Sequence, residues 1–358
     1  MGKGIKTKIL PRRLLDFVAP LPLVMRIRNR LRKQVYYCKA LQGESNYNIC
    51  INSDMTVSCN CRDYDGKGHI GDLADHNLQE IFDGPVAQGF RRALAAGRFP
   101  VPLCPRCSEL ASVAKRDADR YLTSYRVPHK GIMVENTSLC NLRCLSCDRD
   151  AVKSLRKRTR MSLADIEKVA KVVQDCAIEE VSFHNLGEPF LSDTVYEELA
   201  LIRAYNPDVR IITSTNGTVL DQDVKKQAAL LLDNITFSID GPSQEVVTRY
   251  QVGADFERSY ANMKELVSFR NARELSKPEI EWKYVVFAWN DSEADIEKAI
   301  ALAKEARVDI ISFWLGGGPG ARVSRRFLYH PYFQRLGTPS WKGRVIDLRE
   351  SRRQAETK

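Results

Sequence analysis

The chain has 358 residues, 44% hydrophobic and 28% charged, with a formal net charge of +10, a balance that places it among ordinary globular proteins and not among disordered ones. No apolar run approaches the roughly 18 residues of a membrane span. The first 40 residues hold eleven Lys and Arg against the single Asp16, so the excess charge belongs to an N-terminal arm and does not define a basic nucleic-acid face on the rest; no nucleic acid is expected as a partner.

The arm, residues 1–37, opens basic and then apolar, but Asp16, Pro20 and Pro22 interrupt the apolar stretch and no cleavage signal follows. It does not read as a signal peptide. Residues 24–37 (VMRIRNRLRKQVYY) have the pattern of a basic amphipathic helix, suited to an anionic membrane surface or a polyanionic partner. Its apolar stripe is short, which favours a helix docked on its own protein with its arginines in water.

Nine of the ten cysteines fall between Cys38 and Cys147, grouped as C-x-C, C-x2-C and C-x3-C-x2-C. Such grouping points to metal binding in a reducing compartment, hence the cytoplasm, with peripheral membrane contact left open through the arm. Within residues 38–112, NYNICINSDMTVSCNC alternates about an Asn52-Ser53-Asp54 turn and predicts a hairpin. Residues 69–100 follow with a helical pattern, then PLCPRC. Cys38, Cys59, Cys104 and Cys107 are the candidate ligands, with Cys50 and Cys61 in reserve. On a strand Cys59 and Cys61 share a side, so both alternatives stay open; a four-cysteine zinc site also remains open. Residues 113–130 read as a polar linker helix.

From residue 131 the pattern becomes regular. Apolar strand-like runs at 131–135, 180–184, 209–214, 235–239, 280–288 and 309–315 alternate with helical patterns at 163–174, 193–204, 221–232, 256–275 and 294–306. The alternation predicts an α/β fold with parallel strands and ligands at their carboxyl ends. On the loop after the first of these strands stands CNLRCLSC, with Cys140, Cys144 and Cys147 as C-x3-C-x2-C. Three thiolates within eight residues can grip one face of an iron-sulfur cube, leaving the fourth iron open.

This triad resembles the signature of the radical S-adenosylmethionine (radical SAM) superfamily. The resemblance implies a partial (β/α)6 barrel over residues 131–320, a catalytic 4Fe-4S cluster on the triad and S-adenosylmethionine at its open iron. His184-Asn185-Leu186-Gly187-Glu188-Pro189 looks like the family's GEP motif, so Gly187, Glu188 and Pro189 are expected at the cofactor's amino group. Ser214, Asn216, Ser238 and Asp240 resemble further family positions facing cofactor or substrate. Many members carry an aromatic before the last cysteine; Ser146 stands there. The cysteine-rich segment resembles a SPASM or Twitch auxiliary-cluster domain, implying a second 4Fe-4S cluster. It departs by preceding the barrel and by placing Asp54 where a glycine is usual.

The chemistry so implied is reductive cleavage of S-adenosylmethionine to a 5′-deoxyadenosyl radical that removes a substrate hydrogen atom, fed by an electron donor such as flavodoxin or ferredoxin. The substrate is expected to be a sugar-like or other small polar molecule undergoing oxidation, dehydration or epimerisation. A peptide substrate is the alternative, and a non-enzymatic iron-sulfur scaffold the third reading. Lys153 to Arg160 as a substrate clamp, Arg249 and Tyr250 at the barrel mouth and Gly316 to Gly320 near the cofactor are weaker candidates; Cys176 reads as core. The extension 321–358, with Phe327, Tyr329, Tyr332, Phe333 and Trp341, is expected to cover the open barrel edge and to end in disorder.

Overall fold

The computed structural model describes residues 22–318, 320–340 and 343–349. Residues 1–21 of the arm, Pro319, Trp341 and the end of the tail, expected to be disordered, lie outside the described residues.

Six parallel strands form the centre, β6 (Ile132–Val134), β7 (Glu180–Ser182), β8 (Arg210–Thr215), β9 (Asn234–Ser238), β10 (Glu279–Val286) and β11 (Ile310–Leu315), each paired with the next. They coincide with the six apolar runs, and with the helices between them they make the α/β partial barrel. Apolar residues on one face, among them Ile211, Phe237, Trp282, Tyr284 and Phe313, join a single buried cluster with Ile166, Val169, Leu199, Met263, Leu266 and Ile296 of the helices. Each such side chain contributes about 1.5–3 kcal/mol by leaving water. The other face of β10 is polar, carrying Glu281 and Lys283 between buried Trp282 and Tyr284. Helix starts are set by local chemistry: Ser162 and Asp165 form a capping box for Leu163–Asp175, while Asp255 and Ser292 cap Phe256–Asn271 and Glu293–Glu305.

Both edges of this sheet are occupied. On the β11 side, β13 (Gly343–Asp347) and β12 (Thr338–Pro339) pair antiparallel. On the β6 side lies the hairpin from the cysteine-rich segment: β2 (Cys50–Ile51) pairs parallel with β6, followed by antiparallel β3 (Thr56–Ser58) and β4 (His69–Asp72). The order is therefore β12-β13-β11-β10-β9-β8-β7-β6-β2-β3-β4.

Two expectations are corrected here. The helical pattern of residues 24–37 stops at Leu31: α1 is Pro22–Leu31, and Gln34–Cys38 is strand β1. The apolar stripe of α1 faces solvent instead of docking. Nor are residues 113–130 a linker helix: Leu110–Ala114 is β5, antiparallel to β1 with Cys38 opposite Leu110, and only Arg120–Thr123 is helical. Cross-strand pairing to Val35 and Tyr36 overrides the polar, helix-compatible composition of that segment.

Candidate functional site

The loops leaving the carboxyl ends of β6, β7, β8 and β9 converge on one cavity of about 620 Å³. Its wall brings together Cys140, Cys144, Cys147, Gly187, Glu188, Ser214, Asn216 and Ser238. Pro189 and Asp240 are buried outside this lining. Asp240 instead accepts a bond from Val285 N at 2.9 Å, while its carbonyl accepts Asn290 Nδ2, tying the β9 end to β10.

The cysteine loop is held from several directions. Arg149 Nη1 donates to the carbonyls of Cys140 (2.5 Å) and Leu142 (3.0 Å). Arg143 N and Leu145 N donate to Val252 O and Tyr250 O at 2.9 and 3.0 Å, so the loop that follows β9 forms one wall of the triad. Tyr250 itself packs on Phe287, ring centroids 4.5 Å apart. The GEP loop is pressed against the same segment: a Cβ on Gly187 would lie 1.9 Å from Thr137 O, and Glu188 N donates to Leu139 O at 2.7 Å. Only glycine allows that approach.

Glu188 is buried, and its carboxylate accepts Thr215 Oγ1 (2.8 Å), Asn216 N (2.7 Å) and Phe190 N (3.3 Å). Burial raises its pKa to about 7 despite these bonds, which favour the charged form. Asn216 Nδ2 bonds Asn141 Oδ1 and lies 3.8 Å from Cys140 Sγ. Burial likewise raises all three thiols, Cys144 to about 12, so they stay protonated at neutral pH until metal displaces the protons.

Three cavity residues escaped the sequence reading. Lys283 projects from β10 with its ammonium 5.3 Å from the Trp314 ring centroid. Gln251 reaches back to Ser238 O and Asp240 N. His184 has a buried, unpartnered Nδ1, and burial together with the nearby Lys283 lowers its pKa to about 4, leaving a neutral imidazole. The alternation of β10 was the one available signal for Lys283.

A second space is lined by Cys38, Cys59, Cys104 and Cys107, with Asn60, Asp63 and Gly68. The β1–β5 register brings Cys107 beside Cys38, and Asn60 Nδ2 donates to Cys107 Sγ at 3.2 Å. Cys61 and Cys50 lie elsewhere: Cys61 faces Asn48, and Cys50 is buried against Asn185. Among the described residues no three His, Cys, Asp or Glu side chains close around a single-ion position.

With this geometry in hand, the chain can be set beside known proteins. Residues 134–272 match the model of the radical SAM superfamily, and the chain is a radical SAM protein. Relatives include a probable GTP 3′,8-cyclase of Methanothermobacter marburgensis, 30% identical over 118 residues (33% of this chain, 37% of the relative), and the GTP 3′,8-cyclase of Campylobacter lari, 26% identical over 116 residues (32% and 36%). The chain thus spans about a third of the length of the curated relatives it matches. Among solved structures, anSMEcpe with bound AdoMet is 20% identical, with 51% and 50% of the two chains covered and a TM-score of 0.39. BtrN in complex with AdoMet and 2-DOIA is 24% identical, with 38% and 52% covered and a TM-score of 0.30.

The superfamily uses a 4Fe-4S cluster and S-adenosylmethionine, and the residues present fit both. Three sulfurs share one cavity wall with a carboxylate, an amide and two hydroxyls, the donor set that a three-thiolate cluster and an amino-acid cofactor require.

Proposed function

We propose that the chain reductively cleaves S-adenosylmethionine and abstracts a hydrogen atom from a small polar substrate, for oxidation, dehydration or epimerisation of a sugar-like molecule. When bound, the cluster and cofactor would supply the one-electron chemistry and the 5′-deoxyadenosyl radical. The observation that carries this reading is the shared cavity, with the thiol triad and Glu188 on its wall and Ser214, Ser238 and Lys283 among its other lining residues. Cys140, Cys144 and Cys147 would hold the cluster. Glu188 would accept the cofactor ammonium, and Ser214 and Asn216 its hydroxyls or carboxylate. Ser238 and Lys283 are left for substrate, a hydroxyl beside a cation that suits a hydroxylated or anionic small molecule, the relatives' nucleotide substrate class included. His184, neutral at physiological pH, offers a hydrogen bond without competing for protons.

For the second space we propose a cluster on Cys38, Cys59, Cys104 and Cys107. Sulfurs that line a space and do not converge on a point suit a polynuclear cluster better than one tetrahedral zinc. Anaerobic reconstitution should give about eight irons per chain and 5′-deoxyadenosine on reduction with dithionite. Cys144→Ala should lose about half the iron and all the nucleoside. Undiminished 5′-deoxyadenosine from that variant would overturn the proposal, and zinc with only four irons would remove the second cluster.

A further inference from the structure

Helix α1 presents a face that nothing in the described fold covers. Leu23, Val24, Ile27 and Leu31 are 67%, 55%, 51% and 81% exposed. At 100° per residue they fall within an arc of about 100°, flanked by Arg26 and Arg30 on one side and Arg28 on the other. The opposite side seats the helix on the protein: Asn29 is buried and donates to Ser112 Oγ at 3.0 Å, and Arg26 lies 5.5 Å from the Phe99 ring centroid. The helix is thus fixed with its apolar arc outward and arginine stems along both margins, the disposition that lets guanidinium groups reach lipid phosphates while the aliphatic side chains enter the acyl boundary.

We propose that α1 docks the protein on an anionic lipid surface. Charge complementarity selects this occupant: the first 40 residues carry the entire net charge of +10, and a polybasic segment beside an apolar stripe is attracted to anionic headgroups. Four apolar side chains on ten residues make a weak anchor alone, as does the charge, so binding requires both. This docking is independent of the radical chemistry and survives its failure.

The test is flotation of the full-length protein with vesicles of phosphatidylcholine alone or mixed with phosphatidylglycerol. Binding is expected only to the mixed vesicles, falling several-fold as salt rises from about 0.1 to 0.5 M. Ile27→Glu/Leu31→Glu and, separately, Arg26→Gln/Arg28→Gln/Arg30→Gln should each lower the bound fraction at least about ten-fold, with circular dichroism and iron content unchanged. Equal binding to both vesicles, or indifference to either variant, overturns the proposal. So does a dimer in light scattering that Ile27→Glu dissociates, which makes the stripe a self-interface. Hydrogen-exchange protection of the stripe in the lipid-free monomer also overturns it, assigning the face to the chain's own first 21 residues.

Discussion

Substituting Gly187 by alanine tests the close approach on which the cavity depends. The added Cβ would sit 1.9 Å from Thr137 O and 2.8 Å from Thr137 C; both are backbone atoms, so no side chain can swing aside. The GEP loop must lift, and the 2.7 Å bond from Glu188 N to Leu139 O goes with it. Overpacking costs about 1–3 kcal/mol and the lost hydrogen bond about 0.5–1.5 kcal/mol, together about 2–4 kcal/mol. With an unfolding entropy of about 2.1 cal/mol/K per residue, a chain of this length loses about 3–5 °C of melting temperature. The assay is thermal unfolding of the cluster-free protein by circular dichroism, with Gly89→Ala as the internal contrast. Gly89 lies within helix Pro85–Ala95, and its added Cβ meets nothing within 4 Å; alanine there should gain about 0.5–1 kcal/mol, or about 1 °C. Equal melting of Gly187→Ala and wild type, or an equal fall for both variants, would refute the packing argument.

Cys104→Ala should remove about four irons per chain, whereas Cys50→Ala and Cys61→Ala, whose sulfurs lie away from the second space, should leave the iron count unchanged; colorimetric iron and sulfide assays decide. Asp240 is raised to about 7 by burial, so the folded chain keeps a proton that the unfolded chain releases near pH 3.9, and stability should fall as pH rises from about 4 to 7. Asp240→Asn should flatten that fall, melting at or above wild type near pH 8 and level with it near pH 4; a variant that melts lower at both would contradict this. The buried pair Glu135–Arg156, at 2.8 Å with side chains 0% and 6% exposed, should cost about 3–5 kcal/mol when Glu135→Gln strands the guanidinium, and much less in the Glu135→Gln/Arg156→Met double variant. A double-mutant cycle by denaturant unfolding reads the difference, and strict additivity would discount the pair.

The six barrel strands were legible because each is an apolar run buried on a parallel sheet, and the triad because its spacing is local. What could not be read depends on contacts between distant segments. Strand β5 has no strand-like composition and exists because β1 pairs with it. The choice between Cys59 and Cys61 turned on where β3 ends: it stops at Ser58, and a turn held by Asn60 sends the two sulfurs apart, so strand alternation does not apply. Asp240 looks like a mouth residue in sequence yet is a strut, because Val285 N across the β9–β10 pair claims its carboxylate. Lys283 and Gln251 are single polar residues whose role appears only once the loops close.

The position of the cysteine-rich segment ahead of the barrel has a physical rationale in the sheet. A six-stranded partial barrel leaves two edges of unpaired backbone groups, each a liability unless covered. The C-terminal extension covers β11, and β2 covers β6, the strand whose end launches the triad loop. The hairpin is also bonded to that loop's base: Ser53 N and Arg156 Nε both donate to Glu135 Oε1, Arg156 Nη2 donates to Asn52 Oδ1, and Asn185 Nδ2 of the GEP loop donates to Glu135 Oε2. One buried carboxylate therefore joins the hairpin, the segment after the triad and the cofactor loop. Removing the cysteine-rich segment would expose the β6 edge and strip Glu135 of a partner at the point where the triad loop begins, so this segment is part of the frame that shapes the cavity, whatever its own four thiols hold.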